Sequence, residues 1–474
     1  MGHAARLAVL FATLAGWSAP VAAAGPKHFD HVVVIVQENR TPDNLFQGLC
    51  ANPNLCSIEP TANQYDIQTS GWLDKAAPGG VIQPAAVPLV IRYDLEHTHR
   101  AFLVMCDLNE ASGACQMDGA GRVRCEGPCP PNPQFVYVDN ATGILDPYLA
   151  LATQYGWANY MFQTNQGPSF PAHQFIFGGT SAPSAEDDAI GTFAAENGGS
   201  LQLGGCAAPP GRTVQLIDSA GVENPDNKIF PCFEHNTVPD LLLPGGVTWR
   251  YYTPGQNSIW SAPNAINHIC EAQNEKCTGS MWTHNVDLRP ADVLRDISHC
   301  RLRNASWVIP TGQNSDHPQL NKGGGPSWVA SIVNAIGTSA CKDGNRSYWD
   351  DTAIVILWDD WGGFYDHEPP TFLQAPEGGY QLGYRVPMIV VSAYTPAGYI
   401  DNTRHDFGSI IRFIEQNFQI AEGSLDFADA RASTDLLNFF NFGQSPRAYH
   451  MIPAKYDANY FLNDKSAPLP PDDD

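Results

Sequence analysis

The amino-acid sequence predicts an α/β protein with a mostly parallel central sheet flanked by helices. Three observations carry that expectation. Short apolar runs recur without polar alternation, at 31–36, 246–252, 306–310, 353–358 and 386–392, as strands covered on both faces require. Segments with apolar residues at helical spacing fall between them. The helical and strand-like segments then alternate along the chain, as they do in α/β domains. The first helix is predicted over 146–162, "DPYLALATQYGWANYMF". The second spans 325–337, from a Ser327 cap to a stop at Gly337. The third spans 406–418 and carries the stripe Ile410, Ile411, Ile414 and Phe418.

Residues 1–24 place Arg6 before an apolar stretch and end in Ala22-x-Ala24. This pattern predicts a secretory signal peptide, too short in its apolar part to span a bilayer. A single domain is expected over 25–460. Two irregular stretches, about 50–135 and 180–300, are dense in Pro, Gly and Cys and read as cap insertions stapled by disulfides. The tail 461–474 is expected to be disordered. All twelve cysteines lie between Cys50 and Cys341, and an even number suits an oxidising compartment. Cys50/Cys56, Cys125/Cys129, Cys206/Cys232 and Cys270/Cys277 are near enough to close loops, although spacing leaves the connectivity open. Half a zinc site at "CEGPC" (125–129) is the weaker reading, because no second Cys/His pair stands at a partner spacing.

The net charge is −23. So acidic a surface argues against nucleic acid as a partner and offers no basic stripe for anionic membranes. No segment approaches about 20 unbroken apolar residues, so no transmembrane segment is expected. Oligomeric state is not legible.

Two of the apolar runs end in charge. Val32–Val36 leads through Gln37 into Glu38 and Asn39, and Ala353–Trp358 leads into Asp359 and Asp360. In open α/β sheets ligands bind outside the carboxyl ends of the strands. Three carboxylates and an amide gathered there would repel one another unless a cation held them, and such oxygens suit Mg²⁺, Ca²⁺ or Mn²⁺. A solvated loop start is the competing reading for either cluster alone. In "TNQGPSFPAHQFIFGG" (164–179), Ser169 stands before Pro171 at a predicted helix N-terminus, where backbone N–H groups favour an anion; an ordinary N-cap is the alternative. No G-x-S-x-G elbow is present. His97, His99, His284 and His317 lie in polar, loop-like contexts, where a surface histidine is the bland reading. His367 closes the acidic segment as a candidate support for it.

The blocks "VVVIVQENRTPDNLF", "GPSFPAH", "HN", "SDHP", "WDDWGGFYDHEPP", "RVPMIVVSAYTPAGYIDNTRHDFGSIIRFIEQNF" and "DARASTDLLNFFNF" follow one another in this order. Together they resemble the secreted bacterial phosphoesterase family of non-specific phospholipases C and metal-dependent acid phosphatases. The resemblance runs from about residue 29 to 455. It implies an alkaline-phosphatase-like α/β fold and one divalent metal cation (Ca, Mg, Mn or Zn). The implied metal ligands are Glu38, Asn39, Ser169, Asp359 and Asp360, with Ser169 as nucleophile of a phosphoserine mechanism. His284 and His317 would hold phosphoryl oxygens or assist the leaving group, and His97 or His99 would bind substrate. The implied substrate is a phosphate monoester or a phospholipid. The acidic balance leans towards soluble substrates, since lipases at interfaces use apolar or basic surface. The chain departs from the family at Pro42 and Asn44 and in its Cys-rich insertion after His99, which affects substrate identity more than mechanism. A catalytically inactive binding protein on the same fold is the alternative from another class.

Overall fold

Eight strands share one sheet in a computed structural model that describes residues 27–109, 111–198, 204–371 and 380–469. The expected signal peptide lies outside the described residues. In chain order the strands are β1 (His31–Gln37), β2 (Gly156–Met161), β3 (Trp249–Tyr252), β4 (Val286–Asp287), β5 (Ala305–Val308), β6 (Thr352–Trp358), β7 (Met388–Val391) and β8 (Tyr399–His405). They lie in the order β4-β3-β5-β1-β6-β7-β2-β8. Only β7 runs against its neighbours, antiparallel to β6 and β2, while every other pairing is parallel. The α/β class and the mostly parallel sheet expected from the sequence are therefore present.

β1 and β6 sit at the centre, in register from His31 opposite Thr352 to Gln37 opposite Trp358, and every residue of both is buried. Burying each Val or Ile of these runs stabilises the fold by about 1.5–3 kcal/mol, an upper figure. The strand ends are correspondingly fixed in space. Because β1, β2 and β6 point the same way, the residues that follow all three emerge at one edge. β7 begins at that edge, so the residues just before Met388 arrive there too.

The principal helices are α1 (His99–Cys106), α2 (Asp146–Gln154), α3 (Ser169–Gly178), α4 (Gly325–Gly337) and α5 (Phe407–Asn417). An Asp406–Ser409 capping box starts α5. The helix predicted over 146–162 is corrected: it ends at Gln154, Tyr155 leaves the helical conformation, and 156–161 form β2. Trp157 and Met161 continue the helical spacing of 146–154, but pairing with β7 and β8, more than 200 residues downstream, overrides local preference.

All twelve cysteines pair, as Cys50–Cys56, Cys106–Cys115, Cys125–Cys129, Cys206–Cys232, Cys270–Cys277 and Cys300–Cys341. The first irregular stretch builds its own small core from Trp72, Leu95, Phe102 and Met105, against Trp361, Phe364, Tyr365 and Tyr384. Within the second, residues 249–252 and 286–287 belong to the central sheet rather than to an insertion. The tail is anchored further than expected: Phe461 is buried with its ring 5.2 Å from Trp328, and Ala467 O accepts from Gln313 Nε2 at 3.1 Å. Residues 470–474 lie outside the described set. No helix among the described residues is long and apolar enough to cross a membrane.

Candidate active site

The charge at the ends of β1 and β6 converges because the two strands are neighbours in register. Asp359 N donates to Gln37 O at 3.0 Å, extending the ladder one residue past β6. Asn39 then turns left-handed, at φ 60°, and its N donates to Asp359 Oδ1 at 3.2 Å. Asparagine tolerates this conformation better than most residues. Ser169, the first residue of α3, brings its Oγ within 3.1 Å of Asp360 Oδ2 and 3.5 Å of Glu38 Oε2. Glu38, Asn39, Ser169, Asp359 and Asp360 are all fully buried.

His173 completes this group and was not singled out by its sequence context. One helical turn after Ser169, it shares the serine's face of α3. Its Nε2 lies 3.2 Å from Glu38 Oε1 and 3.6 Å from Asp359 Oδ2. Burial pushes the imidazole down to about 4 against the opposing pull of Asp359, so the ring is neutral. The i, i+4 spacing of Ser169 and His173 was the available signal.

These residues fit a divalent cation. Asn39 Oδ1 and Asp359 Oδ2 are buried with no hydrogen-bond partner among the described residues. Buried oxygens of this kind cost stability unless something positive meets them. Glu38, His173 and Asp359 each offer a ligand atom within 4.8 Å of the others. Carboxylate and amide oxygens suit Mg²⁺, Ca²⁺ or Mn²⁺, and a nearby imidazole also admits Zn²⁺.

The profile of the Phosphoesterase family matches residues 29–421. The chain belongs to the Phosphoesterase family. It is similar to phospholipase C A of Mycobacterium tuberculosis, 24% identical over 92% of this chain and 84% of that protein. Phospholipase C B of the same organism is 25% identical over 88% of this chain and 78% of that protein. A solved structure described as a protein in the alkaline phosphatase superfamily, from Vibrio parahaemolyticus, covers 60% of this chain and 63% of its own at TM-score 0.33 and 11% identity. As a Phosphoesterase-family member with phospholipase C homologues, the chain is a hydrolase acting on phosphoric ester bonds.

The four candidate histidines of this phosphoesterase occupy different positions. His97 is buried beside the acids, with Nε2 3.9 Å from Asp360 Oδ2. Its Nδ1 donates to Leu95 O at 2.8 Å, which leaves Nε2 to accept from Asn39 Nδ2 at 2.9 Å. That chain of bonds turns Asn39 Oδ1 away from the imidazole, so His97 orients a candidate ligand. His317 is buried with its ring 6.1 Å from that of His97 and 5.9 Å from Trp260, and its Nδ1 donates to Pro318 O at 2.6 Å. His99 starts α1 and its Nδ1 donates to Gln166 O at 3.0 Å, bracing the turn before Ser169 rather than facing the acids. His284 is the correction. It is exposed on the short helix Ser280–Asn285 beside the edge strand β4 and its neighbour β3, and its Nδ1 bonds Ser280 O at 2.7 Å. A polar context of this kind describes the surface as well as a site.

Behind the acids, a buried ionic cluster ties together the two loops that carry them. Asp43 lies on the loop after β1, and Asp366 and His367 lie on the loop after β6. Arg385, just before β7, donates from Nε and Nη2 to the two oxygens of Asp366 at 3.0 and 3.1 Å, and from Nη1 to Asp66 Oδ2 at 2.9 Å. Its Nη2 lies 3.5 Å from Asp43 Oδ1. His367 Nδ1 meets Asp43 Oδ2 at 2.8 Å and its Nε2 meets Asp66 Oδ1 at 3.0 Å. Both ring nitrogens thus face carboxylates. Although burial lowers it, the attraction of Asp43 and Asp66 raises the imidazole to about 10.

Gly362 joins the same loop to the left-handed turn. Its N donates to Asp360 Oδ1 at 2.8 Å, and its φ is 61°. A Cβ there would lie 2.5 Å from Asn39 O. Gly362→Ala therefore adds backbone strain and pushes on Asn39. It is expected to raise the metal concentration needed for half-maximal activity by about 10–100-fold, the range for lost outer support of a ligand set. A metal titration of the chelated and reloaded variant checks this; an unchanged midpoint refutes it.

Proposed function

We propose that this protein is an exported, metal-dependent phosphoesterase that cleaves phosphate esters through a covalent intermediate on Ser169. The carrying observation is the position of Ser169 Oγ at the head of α3, 3.1 Å from Asp360 Oδ2. Export is supported by six disulfides and by the expected leader. Glu38, Asn39, Asp359 and Asp360 would hold a divalent cation, with Ser169 and His173 beside it. Such an ion supplies Lewis acidity and lowers the pKa of a nearby hydroxyl.

Ser169 Oγ passes its proton to Asp360, its hydrogen-bond partner, and forms a bond to phosphorus as the bond to the leaving oxygen breaks. Asp360 is placed to accept the serine's hydrogen bond before attack. His317 delivers a proton to the leaving alcohol, while His97 keeps Asn39 turned towards the centre. Water then attacks phosphorus and gives a proton back to His317, the bond from phosphorus to Ser169 Oγ breaks, and Ser169 regains its proton from Asp360 as the phosphate product departs. The likeness to phospholipases C over most of the chain supports a phosphodiester, with a phospholipid as natural form. The net charge of −23 favours a second reading, hydrolysis of soluble monoesters.

The test compares p-nitrophenyl phosphate with p-nitrophenyl phosphorylcholine, before and after chelation. The expected result is faster release from the diester, loss of at least about 90% of activity on chelation, and recovery with added divalent cation. Faster monoester release supports the second reading. No hydrolysis of either compound by metal-loaded protein favours an inactive binding protein, and undiminished activity after chelation removes the cation.

A further inference from the structure

We propose that Asn197 is a further catalytic residue, whose side-chain Nδ2 donates a hydrogen bond to a non-bridging phosphoryl oxygen as Ser169 attacks. The proposal rests on Ser169 being the nucleophile.

Residues 195–197 follow the strand Phe193–Ala194, which pairs with Val214–Ile217 in a small sheet outside the central one. They lie across the turn that presents the serine. A Cβ on Gly167 would meet Ala195 O at 2.4 Å, so this approach is close. Glu196 Oε1 accepts from His99 N at 2.9 Å, at the start of α1. Asn197 Oδ1 accepts from Phe170 N at 2.9 Å, the peptide N–H immediately after the nucleophile. Three consecutive residues thus lock this segment against the Ser169 turn and the His97–His99 turn together.

The bond to Phe170 also fixes which way the amide faces. Phe170 N is a donor, so the atom opposite it is the oxygen, and the other amide atom is Nδ2. Asn197 is only 6% exposed, and its Nδ2 has no hydrogen-bond partner among the described residues. A buried N–H donor without an acceptor is unfavourable and rare. Beside the first turn of α3, where an anion is already favoured, the acceptor that suits it arrives with the substrate. The Phe170 N–H is itself occupied by Oδ1, so the side chain replaces the backbone donor it covers. Charge on the phosphoryl oxygens is what a rigid donor can stabilise during transfer.

Two substitutions separate this role from packing. Asn197→Asp retains an oxygen for Phe170 N but exchanges the donor for an ionisable oxygen, whereas Asn197→Ala removes both without adding charge and so isolates the donor. Each is expected to lower kcat by about 10²–10³-fold, the loss typical for one oxyanion donor, with KM changed less than about threefold. Inhibition of Asn197→Ala by orthovanadate should weaken by a similar factor as kcat, while both variants keep a cooperative melting transition. The proposal is overturned if either folded variant keeps kcat and vanadate inhibition within about threefold of wild type. Ser169→Ala run alongside separates the two claims. An active Ser169→Ala protein defeats the nucleophile and this inference together, whereas an inactive one beside normal Asn197 variants defeats the donor alone.

Discussion

Replacing Ser169 with alanine is expected to lower kcat by at least about 10⁴-fold, the scale on which loss of a covalent nucleophile is measured. The side chain's hydrogen bonds run to Asp360 and Glu38, so its removal takes away the proposed attacking atom and little that supports the fold. α3 still begins at the same residue, and its first-turn N–H of Phe170 is still held by Asn197. The thermal midpoint should therefore stay within the shift that corresponds to about 1 kcal/mol. Two measurements decide it. Steady-state release of p-nitrophenol gives the rate, and acid-quenched wild-type enzyme examined by mass spectrometry gives a phosphoryl group on the peptide carrying Ser169, absent from the variant. A variant retaining more than about a tenth of the wild-type rate would falsify covalent catalysis at this residue.

How far that chemistry is visible in the sequence depends on whether the signal is local. β1 and β6 are unbroken apolar runs, and the acids after them are contiguous in sequence, so both strands and Glu38, Asn39, Asp359 and Asp360 were readable directly. Ser169's place at a helix start was readable from the Pro171 that follows it, whereas its role rested on the family resemblance. What failed was whatever depends on distant partners. The segment 156–161 carries helical spacing, yet it is a strand because residues 388–391 and 399–405 pair with it. His173 carries no local mark beyond its spacing from Ser169; its meaning comes from Glu38, 135 residues away. His284 failed in the opposite direction, since a polar neighbourhood marks an exposed helix as readily as a catalytic loop. Asn197 sits in a stretch read only as insertion. The ionic cluster behind the acids draws on residues 43, 66, 366, 367 and 385, and no sequence window spans them.

That cluster supports the second large prediction: Arg385→Met destabilises the protein by about 3–5 kcal/mol, the range for removing one member of a buried ion pair. Arg385 is fully buried, as are Asp43, Asp66 and Asp366. Without the guanidinium, three carboxylates share only His367. The loss depends on pH in a direction that the cluster dictates. Burial, with Asp43 nearby, already pushes Asp366 up to about 6 against the pull of Arg385, and removing the cation raises it further. At about pH 5 the variant takes up a proton there and part of the repulsion vanishes; at about pH 8 it does so only at a cost, and the deficit is larger. His367 leaves that difference unchanged, because it is protonated in both folded proteins at either pH. Its folded value of about 10 exceeds the ordinary 6.5, so its contribution is complete below about 6.5 and is lost as pH rises through 10. Unfolding midpoints at the two pH values, with the exposed Arg289→Met as control, test this directly. Because Arg385 joins the loops after β1 and β6, the surviving folded variant should also need more metal for half-maximal activity. A midpoint and a metal requirement both matching the control would mean that the cluster neither stabilises the edge nor holds the acids in place.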